Sequence, residues 1–121
     1  MLNQKREFTI HPIPVLQDNI VWVWVHKNNA VVVDPSIDDP VKDWLLERRL
    51  SLKAIFQTHH HEDHIGGTPG LKKRWPDVEI IASKKDIKRI PFQTLSVSNN
   101  DMFNCIGFKV KVIEVPGHTN N

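Results

Sequence analysis

Thr58-His59-His60-His61-Glu62-Asp63-His64-Ile65-Gly66-Gly67 packs four imidazoles and two carboxylates into six consecutive positions. That density asks for a metal, because neutral imidazole is the commonest side-chain ligand of zinc and its relatives and a carboxylate adds the negative charge a divalent ion needs. The apolar run Ala54-Ile55-Phe56 leads into it as a strand. If the extended path continues, His59 and His61 leave on one face and His60 on the other, so two ligands converge on one ion. Asp63 and His64 follow where Gly66-Gly67 lets the chain turn, and they are expected to aim at a second ion beside the first. The bland alternative is a solvated histidine-rich loop. The order H-x-H-x-D-H between a strand and two glycines is too demanding a pattern for that, and an expression tag would be terminal and uninterrupted.

Upstream, Lys53 to Gln57 reads as the strand that delivers the motif. A helix to about Leu50 precedes it: Asp38-Asp39-Pro40 offers an N-cap and a proline for the first turn, and Val41, Trp44 and Leu45 share one helical face. Before the helix, Ala30-Val31-Val32-Val33 is a buried strand that Asp34-Pro35 ends. Strand, helix and strand in succession imply a right-handed parallel crossover. The motif then sits at a strand's carboxyl end, where open α/β sheets place their ligands. Val21-Trp22-Val23-Trp24-Val25 is apolar on both faces, as expected of a strand covered on two sides, so Trp22 and Trp24 are expected in the core. Lys27-Asn28-Asn29 is a tight hairpin signal. Phe8 to Val15, interrupted by Pro12 and Pro14, reads as an edge strand or an extended entry segment.

Downstream, Thr68 to Trp75 reads as a short helix with Thr68 as its cap and Pro69 in its first turn. Val78 to Ala82 is a further strand, and Ser83 to Ile90 a helical turn. Between Lys72 and Arg89, seven bases stand against three acids. Such a stretch is either a phosphate-binding face or a solvated surface, the second being the more ordinary reading. Pro91 to Val97 is irregular or extended, Asn99-Asn100-Asp101 is a turn, and Phe108 to Val115 alternates Phe108, Val110 and Val112 against Lys109 and Lys111 in a half-exposed strand. Pro116-Gly117 ends it and presents His118.

The chain has 121 residues, 40% hydrophobic and 25% charged, enough for one modest core and one domain over 1–121. A formal charge of +2 is too balanced to call for nucleic acid or a membrane surface. The first residues lack the apolar stretch of a signal peptide and no run is long enough to cross a bilayer, so a cytoplasmic location is expected. The single Cys105 has no internal disulfide partner and reads as a small buried apolar residue.

The T-H-H-H-x-D-H-x-G-G stretch resembles the metal motif of the metallo-β-lactamase superfamily, in the form carried by the glyoxalase II (hydroxyacylglutathione hydrolase) family. Leu16-Gln17-Asp18-Asn19 with Trp22, Val31-Val32-Val33-Asp34-Pro35, and Pro116-Gly117-His118-Thr119 resemble that family's N-terminal half in order and spacing, and the resemblance covers essentially all 121 residues. It implies an α/β fold, the N-terminal half of an αββα sandwich, with a mixed sheet carrying helices on one face. It also implies that His118 joins His59 and His61 in a three-imidazole set, while Asp63 and His64 serve the second of two zinc ions; such donors also accept iron or manganese. Asp34, a turn residue on composition alone, would lie behind the metal loop and support it. His11, His26 and His60 are assigned to no metal.

The reaction implied is metal-dependent hydrolysis of a small-molecule glutathione thioester, S-D-lactoylglutathione, to glutathione and D-lactate. In the family resembled, a bridging aspartate, a further histidine and the glutathione-holding residues lie in the part that would follow Asn121, so the chain is expected to be an incomplete, truncated domain. Its inner sheet face is then expected to be wet unless self-association or a complementing C-terminal half covers it. The rival readings are another hydrolase of the same fold, a lactonase or a nuclease, and a non-catalytic metal-binding fragment that uses the three-histidine site alone.

Overall fold

The computed structural model describes residues 7–15, 19–58 and 66–114. Six strands form one mixed sheet in chain order: β1 (Thr9–Val15), β2 (Asn19–His26), β3 (Asn29–Val33), β4 (Ser51–Gln57), β5 (Glu79–Ser83) and β6 (Leu95–Val97). The first three pair antiparallel and the rest parallel. β1 is one edge of the sheet, a position where prolines such as Pro12 and Pro14 are tolerated. β2 and β3 are joined across Lys27-Asn28, with Lys27 at a φ of 57°.

Helix α1 (Asp39–Glu47) forms the crossover between β3 and β4, and α2 (Thr68–Arg74) that between β4 and β5. The buried face of α1, Val41 and Leu45, joins Leu71 of α2 over Ile13, Val21, Val23, Ala30, Val32, Leu52, Ile55 and Ile80, which makes the larger core. α1 ends by a defined device. Arg49, at a φ of 55°, donates its N–H to Leu46 O at 3.1 Å and Leu50 donates to Leu45 O at 3.0 Å, while the side chains of Leu45 and Leu50 are buried in one cluster. After β5, Ser83 Oγ accepts from Lys85 N–H and caps a 3₁₀ turn, Lys84–Asp86.

The sheet's opposite face carries a two-stranded hairpin, β7 (Met102–Cys105) and β8 (Phe108–Lys111). Its strand β7 is not foreshadowed in the sequence reading, and β8 is shorter than the expected run to Val115. Phe103, Cys105 and Val110 pack on Val31, Ala54, Ile81 and Val97 in a second cluster. The inner face is therefore covered over β3 to β6. It stays open over β1 and β2, where Ile10 is 51%, Ile20 50% and Trp22 44% exposed.

That opening corrects the expected burial of the two tryptophans. Pairing puts Ile10 beside Trp24 and Pro12 beside Trp22, so both rings lie on the inner face while Val21 and Val23 take the helix side. Trp24 is half-buried because it stacks on Phe8 at 5.6 Å and meets the edge of Phe56 at 5.5 Å. Trp22 lies beyond those rings and is exposed. Alternation fixed which face each residue takes, but only a second layer decides whether that face is dry.

Candidate metal centre

Because β3, β4 and β5 run parallel, their carboxyl ends share one rim of the sheet. β3 is followed by Asp34 at a φ of 49°, a conformation that aspartate tolerates better than branched residues do. This turn is held by Asp34 N–H donating to Phe56 O at 2.9 Å. The carboxylate then faces the end of β4. Its Oδ1 accepts the Thr58 N–H at 2.7 Å and the Gln57 Nε2 at 3.3 Å, and its Oδ2 accepts the Thr58 hydroxyl.

Gln57 is 4% exposed and Thr68 fully buried, and neither polar group is wasted: Thr68 Oγ1 donates to Gln57 Oε1. Thr68 is thus not the cap of α2. Gly67 occupies that position, and its N–H donates to Pro35 O at 2.8 Å. A Cβ on Gly67 would stand 2.5 Å from the Ile37 carbonyl carbon, so only glycine allows this approach. Ser36 Oγ, also buried at this rim, has no hydrogen-bond partner among the described residues.

The expected ligands His59, His61, Asp63, His64 and His118 lie outside the described residues, as do His60 and Glu62. Among the described residues, no three His, Cys, Asp or Glu side chains gather as a metal cluster. What the structure does place is the frame on both sides of the motif. Residue 58 leaves from the Asp34 carboxylate and residue 67 returns to the Pro35 carbonyl. The approach to His118 is framed as well. Glu114 N–H donates to Asn99 Oδ1 at 2.8 Å, and its carboxylate meets Lys85 Nζ at 2.5 Å, just past the carboxyl end of β5. Residue 114 therefore reaches the same rim from which residue 58 departs.

The described histidines have structural roles. His11 hydrogen-bonds Thr9 Oγ1 at 2.8 Å and lies 5.2 Å from the Trp44 ring, while His26 Nδ1 hydrogen-bonds Glu7 O and its ring meets the Phe108 ring. Within the basic stretch, Lys85 pairs with Glu114, Arg89 with Asp86, Arg74 lies over Trp75, and Lys72 donates to Pro76 O. Cys105 is buried as expected, and burial, with Glu79 as a smaller contributor, pushes its thiol up to about 11. The Gln57–Thr68 pair is the feature the sequence reading missed. Its signal was Gln57 itself, which shares the face of Ile55 and so is a polar residue at an inward strand position.

No described helix is long and apolar enough to cross a membrane. Residues 13–119 match the family model described as the metallo-beta-lactamase superfamily. Among curated proteins, the chain is 69% identical over 121 residues to a hydroxyacylglutathione hydrolase of Prochlorococcus marinus (strain NATL1A), covering 100% of this chain and 48% of that protein. It is 53% identical over 111 residues to one of Parasynechococcus marenigrum (strain WH8102), covering 92% and 45%. The chain thus spans about half the length of the curated relatives it matches. Solved structures of similar fold include the BLEG-1 B3 metallo-beta-lactamase (TM-score 0.79, 21% identity, 92% of this chain and 63% of that one). The di-zinc LRA-12 enzyme from an Alaskan soil metagenome is also similar (TM-score 0.76, 16% identity, 95% and 52%).

Proposed function

The chain belongs to the metallo-beta-lactamase superfamily, and on that premise we propose that it supplies the metal-binding half of a hydroxyacylglutathione hydrolase, a thioester hydrolase. The family fold implies a metal, and the donor chemistry fits one. A stretch of imidazoles and one aspartate follows a strand end that is anchored, and two residues after Asp34 the buried Ser36 hydroxyl has no hydrogen-bond partner among the described residues. His59, His61 and His118 would hold one zinc ion, and Asp63 with His64 would contribute to a second. A bound zinc supplies an activated water at neutral pH and a Lewis acid toward a carbonyl oxygen.

The role of the chain's own residues follows from the frame. Asp34 fixes Thr58, one residue ahead of His59, by two hydrogen bonds to a charged acceptor. Gly67 closes the other end by its approach to Ile37. The substrate proposed is S-D-lactoylglutathione, with glutathione and D-lactate as products; a thiolate leaves readily, so no strong general acid is required of this half. The observation that carries the reading is the Asp34–Thr58 anchor at the mouth of an H-x-H-x-D-H sequence in a chain 69% identical to proteins of that name.

The test is thiol release from S-D-lactoylglutathione by the zinc-loaded chain, alone and mixed with the second half of the 69% identical relative. Turnover that His59→Ala, His61→Ala or His118→Ala abolishes is expected. Hydrolysis no faster than buffer in both arms overturns the reading.

A further inference from the structure

We propose that the Gln57–Thr68 hydrogen bond is a positioning brace that ties together the residues flanking the H-x-H-x-D-H motif. The inference rests on the metal reading above and assigns it two residues that bear no ligand atom. Thr68 Oγ1 donates to Gln57 Oε1, Gln57 Nε2 donates to Asp34 Oδ1 at 3.3 Å, and the same Oδ1 accepts the Thr58 N–H at 2.7 Å. One hydrogen-bonded path therefore runs from the first residue of α2, across the end of β4, to the turn after β3. Residues 59–65, with the H-x-H-x-D-H donors, depart at one end of this path and return at the other.

Packing alone does not explain the pair. Thr68 is fully buried and Gln57 nearly so, on the sheet face otherwise made by Val32, Ile55 and Ile80. Valine and leucine would fill that space without two polar groups to satisfy, and burying such groups is unfavourable unless they pair. Nor is the threonine hydroxyl spent on capping its own helix, since α2 has no side-chain cap. Groups that orient ligand-bearing segments from behind typically change metal affinity by about 10- to 100-fold when removed.

The test uses the metal-free chain, titrated with Co²⁺ and followed by its visible absorption, together with amide exchange at Thr58 and Gly67, whose N–H groups are bonded to Asp34 and Pro35. Thr68→Val is expected to raise the Co²⁺ dissociation constant about 10-fold or more and to speed both amides, while Thr68→Ser restores them. The double variant Gln57→Leu, Thr68→Val removes both members of the buried pair, so neither is left without the other. It is expected to regain thermal stability but not affinity, a split that a purely structural role would not give. A double variant that binds Co²⁺ like the parent and exchanges at the parent's rates overturns the brace. If the parent chain binds no Co²⁺, the metal reading fails by itself, and unchanged exchange at Thr58 and Gly67 in Thr68→Val then overturns the brace separately.

Discussion

Thr58 donates both its backbone N–H and its hydroxyl to the carboxylate of Asp34, 24 residues earlier in the chain, the amide at 2.7 Å. β3 and β4 are parallel neighbours, so their carboxyl ends meet, and the left-handed turn at Asp34 swings its side chain across the gap. A chain leaving β4 is thereby aimed before its first histidine.

Replacing this carboxylate is expected to act on stability and on metal binding together. Asp34→Ala removes the acceptor for Thr58 and Gln57 and places a less tolerant residue at positive φ, a loss of about 1.5–3 kcal/mol for hydrogen bonds to a charged group. Metal affinity should fall about 10-fold or more. Asp34→Asn keeps one acceptor oxygen and the turn preference, so it should fall between the two. Urea unfolding of the metal-free chain and competition with a chelator measure the two effects; Asp34→Ala matching the parent in both would refute the anchor.

Gly67 and Gly70 both face the segment after β3, yet their alanine variants should differ. A Cβ at Gly67 meets backbone, Ile37 C at 2.5 Å and Asp38 N at 2.8 Å, which moves only if the strand end moves. A Cβ at Gly70 meets only the Asp38 side chain: the carboxylate, with Oδ2 at 1.9 Å, can rotate away, while the Cβ at 2.8 Å asks for a small backbone shift. Gly67→Ala should cost roughly 2 kcal/mol or more, as overpacking does. Gly70→Ala should cost less than Gly67→Ala, since most of its clash is with a side chain that rotates and alanine also favours the helix. Equal losses in chemical denaturation would show that Asp38 is held as rigidly as the backbone.

Much of this frame is legible in the sequence, and the reasons are local. Asp34-Pro35 and Gly66-Gly67 mark turns by residue type, and the apolar runs Ala30–Val33 and Ala54–Phe56 need no tertiary knowledge. The exposure of Trp22 was not legible, because periodicity names a face and not what covers it. Strand β7 was missed because Met102-Phe103-Asn104-Cys105 is short and its turn, Ile106-Gly107, puts a β-branched residue at a φ of 41° where asparagine or glycine is the usual signal. The metal motif was read from its spacing, while the Gln57–Thr68 pair joins residues 11 apart across a loop and is visible only once α2 is docked.

The end of α1 offers a stabilising change. Arg49 holds a φ of 55° in the residue after the C-cap, its side chain is exposed, and its N–H serves the helix through Leu46 O. Glycine adopts that conformation without the Cβ penalty that L-residues meet there. Arg49→Gly should therefore raise unfolding stability by about 0.5–1 kcal/mol, the gain being trimmed by the extra freedom glycine gives the unfolded chain. Arg49→Ala, which keeps the Cβ, should show no such gain; a thermal melt in which both variants shift alike would refute the assignment.

Cys105 gives a pH-dependent test. Burial beside Ile81 and Val97 is the main reason its thiol is pushed up to about 11 from 9.0, with the Glu79 charge adding to it. A thiol whose folded pKa is raised keeps its proton in the fold while the unfolded chain gives it up. Its contribution is thus fully present below pH 9 and is lost as pH climbs from 9 through 11. Only the thiolate reacts readily, so alkylation by iodoacetamide at pH 8 should be at least about 10-fold slower in the folded chain than in urea. Cys105→Ser should flatten the fall in stability between pH 9 and 11, since serine has no proton to lose there. An alkylation rate that is the same folded and unfolded would mean that β7 does not stay packed on the sheet, and the second core cluster would have to be redrawn.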